Sequence, residues 1–245
     1  MRKFLIRLIP ILAAALVTLA IGIAATGLAA YYYLLPGLQD DIQERVNKQE
    51  IPLRVYSRDG RLIAQLGEKR RTPIQFDDIP RSVVNAFLAA EDDRFFVHPG
   101  FDYQGIVRAG INLLLTGSRS QGGSTITQQL AKNLFLSGER HYLRKGEELV
   151  ITWMLEFWLD KERILEIYLN SVEWGEGVFG AEAAAQHYFK RPASQLTVGQ
   201  AARLAAALPA PKCFDKKSYC ANVHVNFTRK ATVIANRMGS ATLPD

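Results

Sequence analysis

Apolar positions fall into several spacings along this chain, and each spacing predicts a different kind of element. From Leu8 to Leu35 no side chain is charged, and about 20 apolar residues are enough to carry a helix across a bilayer core, so this run predicts a membrane span. Gln39 to Glu50 is polar and reads as a helical or flexible stalk, closed by Ile51-Pro52. Val55 and Tyr56, then Ser57-Arg58-Asp59-Gly60, then Leu62 to Leu66 place an Asp-Gly turn between two β-prone runs, the pattern of a small hairpin. Beyond Pro80 the spacing becomes helical and stays so. Val83, Val84, Phe87 and Leu88 share one helix face, as do Ile164, Leu165, Tyr168 and Leu169, and Ala201, Leu204, Ala205 and Leu208. Turn signals at Pro99-Gly100, Gly117, Gly122-Gly123, Ser137-Gly138 and Gly175 to Gly177 cut this region into short helices. Leu149 to Leu159 is apolar on nearly every face except at Thr152 and Glu156, which predicts a helix surrounded by protein or partly by lipid. Its length favours a core helix over a second span.

Charge orients this pattern. Arg2, Lys3 and Arg7 precede the long apolar run and Asp40 and Asp41 follow it, so the positive-inside rule places the N-terminus in the cytoplasm and everything after Leu35 outside. Tyr31, Tyr32 and Tyr33 stand where an interfacial aromatic belt would. A cleaved signal peptide is the alternative, but its apolar region runs only about 7 to 15 residues. The 245 residues hold one sizeable domain plus an anchor, not two large catalytic domains. The net charge of +6 suits anionic partners such as lipid head groups, pyrophosphates or nucleic acid without choosing among them. Cys213 and Cys220 exclude a disulfide-dense scaffold or a Cys-rich metal site. Two thiols and one local disulfide both remain open.

Four stretches carry candidate chemistry, each with a plainer reading beside it. Glu91-Asp92-Asp93-Arg94-Phe95-Phe96-Val97-His98-Pro99-Gly100-Phe101-Asp102 sets acids beside aromatics at the end of an apolar helix. A carboxylate desolvated against Phe95 or Phe96 suits a general base, whereas a solvated charged helix end explains the same residues. Gln121-Gly122-Gly123-Ser124-Thr125-Ile126-Thr127-Gln128-Gln129-Leu130-Ala131-Lys132-Asn133 begins a helix whose free N–H groups would receive an anion, with Gln128, Gln129 and Lys132 on one face. Thr125 and Gln128 also have the spacing of a capping box. From Arg140 to Glu148, cations stand beside acids, and Arg144 and Glu148 lie four apart. The plainer reading is a helical salt bridge, and the functional one an anion clamp beside a second carboxylate. Lys161 to Asn170 has the spacing of a structural helix that Asp160 can cap. Gly175-Glu176-Gly177-Val178-Phe179-Gly180 fits a dinucleotide fingerprint, but it follows a helical segment and lacks the acidic residue expected about 20 positions on.

Taken in order, EDDRFFVHPGFD, GGSTITQQLAKN, RKGEE, KERILEIYLN and RLAAALPAP make this chain resemble glycosyltransferase family 51, the peptidoglycan glycosyltransferases, over roughly Pro80 to Pro211. The resemblance implies a mostly α fold, with a lysozyme-like helical head and a smaller membrane-proximal jaw that takes in Ile106 to Leu115. The organisation expected is an anchor at 1–36, a stalk and hairpin linker at 37–79, the glycosyltransferase domain at 80–212, and its extension at 213–245. It also implies polymerisation of lipid II: a growing glycan on undecaprenyl pyrophosphate is transferred with inversion to the 4-hydroxyl of the acceptor. Glu91 matches the family's base. Glu148 matches a second acid that orients the basic cluster or helps a divalent ion at the pyrophosphate. Lys132, Arg140 and Arg144 match cations near the pyrophosphates, where fixed charge stabilises the leaving group. Ser124, Gln128, Gln129 and Lys145 match further donor-site positions.

The expected partners are lipid II, the lipid-linked glycan, the membrane and proteins of cell-wall synthesis or division, and not nucleic acid. No cofactor is required, and Mg or Mn at the pyrophosphate is the one addition the resemblance leaves room for. The expected location is the bacterial inner membrane, with the catalytic domain on the periplasmic side. Glu173 to Ala185 resembles monofunctional members, while Val55 to Arg71 resembles the linker of bifunctional penicillin-binding proteins. No Ser-x-x-Lys or Lys-Thr-Gly is present, so cross-linking is not expected of this sequence. Two rivals stay open: a lytic transglycosylase, which cleaves strands, and an inert scaffold that binds the precursor.

Overall fold

The computed structural model describes residues 53–66, 70–117, 123–136, 144–215 and 226–240, with scattered positions between 10 and 45. It divides into two compact units, Met1–Lys48 and Gln49–Asp245. Described residues of the first, such as 16–22, are helical. Most of the apolar run Leu8 to Leu35 lies outside the described residues, and among those described no helix is long and apolar enough to cross a membrane.

The second unit opens with the predicted hairpin. Strands β1 (Leu53–Tyr56) and β2 (Leu62–Leu66) pair antiparallel. The turn closes through Ser57, whose carbonyl accepts from the Gly60 amide at 2.9 Å, while Gly60 takes the positive φ of 79° that an Asp-Gly turn needs. A second sheet departs from the all-helical expectation beyond Pro80. Strand β3 (Arg70–Arg71) runs parallel to β5 (Val178–Phe179), which pairs antiparallel with β4 (Glu173–Gly175). The fingerprint-like Gly175 to Gly180 is therefore a strand turn ahead of a helix. Its strands are too short for a periodicity of 2 to register in sequence, and burial of Trp174 and Val178 holds them.

The rest is helical among the described residues: α1 (Arg81–Glu91), α2 (Tyr103–Thr116), α3 (Ile126–Phe135), α4 (Arg144–Trp158), α5 (Lys161–Ser171), α6 (Ala181–Phe189), α7 (Val198–Ala207), α8 (Pro211–Asp215) and α9 (Phe227–Arg237). Caps explain several starts. Thr125 and Thr197 form capping boxes with Gln128 and Gln200, and Asp160 accepts from the Arg163 amide. The apolar faces read from the sequence become the core. Val83, Phe87 and Leu88 of α1 pack with Leu204 and its neighbours on α7, and the Phe87 ring meets Trp174 edge-on at 4.9 Å. α9 lies against α7 and α1, while α3 packs on α4 and α5. Asn170 of α5 holds the incoming chain, accepting from the Ile74 amide and donating to the Ile74 carbonyl. Cys213 is disulfide-bonded, and Cys220 lies outside the described residues.

Candidate active site

Glu91 is the last residue of α1, where the chain leaves the helix for the loop 92–102. That loop is tied down from several sides. The buried Asp92 carboxylate accepts from His98 Nε2 at 2.9 Å and from the Ile126 amide at 3.0 Å, so it joins the end of α1 to the start of α3. Thr125 donates its hydroxyl to the Gly100 carbonyl at 2.7 Å. Gly100 has φ 85°, and a Cβ there would stand 2.9 Å from Thr152 and Glu156, so the loop seats on α4 only with glycine at that position. Phe95, one of the two aromatics expected beside a carboxylate, packs against Phe96 and His98 and under the Lys161 ammonium, 4.5 Å from its ring centre.

Glu91 is half-buried and opens onto a cleft of about 760 Å³. One wall is α3, contributing Gln129, Lys132 and Asn133, with Ser124 just before it. Another is α9, contributing Arg229, Lys230 and Arg237. Glu173 of β4, with Leu208, Pro209 and Pro211, also lines the cleft. Gln129 Nε2 donates to Glu91 Oε2 at 2.9 Å, and the Tyr168 hydroxyl donates to Gln129 Oε1 at 2.9 Å. Burial, with the charges of Glu91 and Asp92, holds the Tyr168 phenol well above its usual pKa, so it stays a donor. Arg237 meets Asp93 at 3.2 Å and joins α9 to the loop after Glu91.

The sequence-derived site residues therefore separate. Glu91, Ser124, Gln129 and Lys132 converge on the cleft. Gln128 does not share their face: it is 3% exposed, and its Oε1 accepts from the Thr125 amide at 2.9 Å, so the capping-box reading describes it. Arg144, Lys145 and Glu148 lie on the neighbouring α4, outside the cleft lining among the described residues. Glu148 is buried and paired with Lys145, three residues before it, rather than with Arg144 as its four-residue spacing implied. Arg140 lies outside the described residues. The α9 cations were missed in the sequence, although Arg229 and Arg237 lie eight apart, two turns along one helix face.

A carboxylate with one oxygen held, in a cleft whose lining carries four cations, Lys132, Arg229, Lys230 and Arg237, against one further acid, Glu173, defines a site able to accept a proton beside a negatively charged group. The transglycosylase family's model matches residues 59–239, and the chain belongs to that family. It is 77% identical over 172 residues to a biosynthetic peptidoglycan transglycosylase of Ralstonia nicotianae, covering 70% of this chain and 74% of the relative. It is 66% identical to one of Cupriavidus metallidurans, covering 72% of this chain and 76% of that protein. Penicillin-binding protein 1A of Haemophilus influenzae, 22% identical over 80% of this chain and 19% of its own, has a TM-score of 0.36, too low to compare the folds.

Proposed function

We infer that this chain is a peptidoglycan glycosyltransferase that polymerises lipid II into linear glycan strands. The observation that carries the reading is Glu91 in a cleft it shares with Lys132, Arg229, Lys230 and Arg237. A base that activates a sugar hydroxyl must face a leaving group, and the leaving group of a lipid-linked sugar is a pyrophosphate. Glu91 takes the proton of the acceptor's 4-hydroxyl as that oxygen bonds to the donor's anomeric carbon. The bond from that carbon to the pyrophosphate breaks with inversion, and the charge left on the phosphate is met by Lys132 and its neighbours. Lytic cleavage is disfavoured because a finished strand brings no pyrophosphate to this basic cleft.

Glu148, paired with Lys145 on α4, acts at a distance by holding the basic start of that helix, which includes Arg144. Among the described residues no group of three or more His, Cys, Asp or Glu is placed to hold a metal. This reading leaves room for a divalent ion, Mg or Mn, at the substrate's own pyrophosphate.

We place the enzyme at the outer face of a bacterial inner membrane. The uncharged run Leu8 to Leu35 supports an anchor. In the second unit Ile106, Val107, Ile111, Leu114 and Leu115 of α2 are exposed, as are Leu149, Val150, Trp153 and Phe157 of α4. Apolar faces of this extent fit a lipid surface.

The deciding experiment gives the purified chain lipid II and follows glycan length and release of undecaprenyl pyrophosphate. Long strands are expected from the wild type. Glu91→Gln should lose at least about 100-fold in rate while still binding the precursor, as a missing general base requires. Near-normal turnover by Glu91→Gln, or breakdown of finished strands without lipid II consumption, would refute the reading.

A further inference from the structure

The geometry points to Tyr168 as a positioning residue for the reaction inferred above, on which this inference rests. Its hydroxyl fixes the amide of Gln129 so that Gln129 holds one oxygen of Glu91 and leaves the other for the incoming sugar hydroxyl. Tyr168 is fully buried on α5 and is not part of the cleft lining, so it reaches the chemistry only through Gln129.

The two hydrogen bonds form a chain with one consistent direction. An ionised Glu91 can only accept, so Gln129 must present Nε2 to it. Its Oε1 is then turned to Tyr168, whose hydroxyl must be the donor. Reversing the amide would set Oε1 against the carboxylate, two acceptors facing each other, and Nε2 against the phenol. The Glu91 carboxylate therefore selects one of two amide orientations that have nearly the same shape, and Tyr168, donating to Oε1 in that orientation, anchors the amide from its far end. Without the hydroxyl, Gln129 keeps its bond to Glu91 but loses the second contact that fixes where its amide lies. The support behind Tyr168 is rigid: Ile164, Leu165 and Leu169 on the same helix are fully buried, and Asp160 caps the helix start. A base held in this way spends less of each encounter in unproductive orientations, which appears in turnover and not in substrate affinity.

The test is steady-state polymerisation of lipid II by the full chain and three variants: Tyr168→Phe, Gln129→Met and the double variant. Tyr168→Phe keeps the ring that fills the core and removes only the hydroxyl. Its kcat is expected to fall about tenfold, the effect of one lost hydrogen bond on a barrier, with KM unchanged and a folded circular dichroism spectrum. Gln129→Met should lose at least as much, and the double variant should be no slower than Gln129→Met alone, because Tyr168 acts through Gln129. Wild-type kcat in Tyr168→Phe, a change confined to KM, or losses that multiply in the double variant would overturn the proposal. If Tyr168→Phe does not fold, Gln129→Met carries the test by the same division between kcat and KM. A wild-type chain that consumes no lipid II is a different failure: it overturns the polymerase reading, and this inference with it.

Discussion

Replacing Asp92 by asparagine tests whether the loop after Glu91 is held as described. Asp92 is 7% exposed and His98 4%, and the carboxylate accepts from His98 Nε2 at 2.9 and 3.0 Å and from the Ile126 amide at 3.0 Å. Asparagine has nearly the same shape, but it puts an NH₂ group in place of one of the two oxygens that face His98 Nε2. If it keeps Ile126, its Nδ2 faces His98 Nε2, and the imidazole must move its proton to Nδ1, which is buried with no partner among the described residues. Removing both members of a buried pair can be nearly neutral, but removing one strands the other. The stranded donor and the lost charge-assisted bond together predict a cost of about 2 to 3 kcal/mol. In a unit spanning Gln49–Asp245 that corresponds to a fall in Tm of roughly 5 to 10 °C. Circular dichroism melting of wild type and Asp92→Asn at neutral pH measures it, and polymerisation should fall too, because Ile126 begins the helix that carries Gln129. A Tm within about 1 °C of wild type would refute the clamp.

Other expectations follow from the same geometry. Lys132→Ala removes a cleft cation and should weaken donor use, read as a fall of about tenfold or more in kcat/KM; unchanged kinetics would contradict the pyrophosphate role. The raised pKa of Tyr168 gives a sign to alkaline stability: below its usual value of 10.0 both folded and unfolded phenols are protonated and nothing changes, and above it the unfolded phenol ionises first. Stability should therefore fall as pH rises past that value, and Tyr168→Phe should flatten this fall in urea titrations over the same pH range. Charged substitutions at Trp153 and Phe157, whose rings stack 5.9 Å apart on the exposed face of α4, should reduce co-sedimentation of the second unit with anionic vesicles; full retention would argue against a lipid-facing α4.

What the sequence made legible was mostly local. The Asp-Gly hairpin, the capping box at Thr125 and the cap at Asp160 each depend on residues within a few positions, and the structure forms them where the pattern places them. Helix faces such as Val83, Val84, Phe87 and Leu88 were readable because burial follows the helical period. Strands β3, β4 and β5 were not. They hold two or three residues each, and β3 meets a partner more than 100 positions away. Their pairing is a tertiary event with no local signature.

The cleft divides along the same line. Glu91, Ser124, Gln129 and Lys132 were legible because a motif fixes residue types in order, yet spacing alone could not say which way each side chain turns. Gln128 and Gln129 are adjacent, and about 100° of helical rotation separates a buried cap from the hydrogen bond to Glu91. Arg144 and Lys145 are adjacent too, and it is Lys145 that takes Glu148. The α9 wall was the least legible, because Arg229, Lys230 and Arg237 follow Glu91 by well over 100 residues and carry no motif. Their place comes from α9 packing on α7 and α1, with Asp93 joined to Arg237. The second residue after the proposed base thus contacts the opposite wall. A cleft assembled in this way needs its C-terminal helix for shape as well as charge, because Arg237 both lines the cleft and holds Asp93, two residues after Glu91.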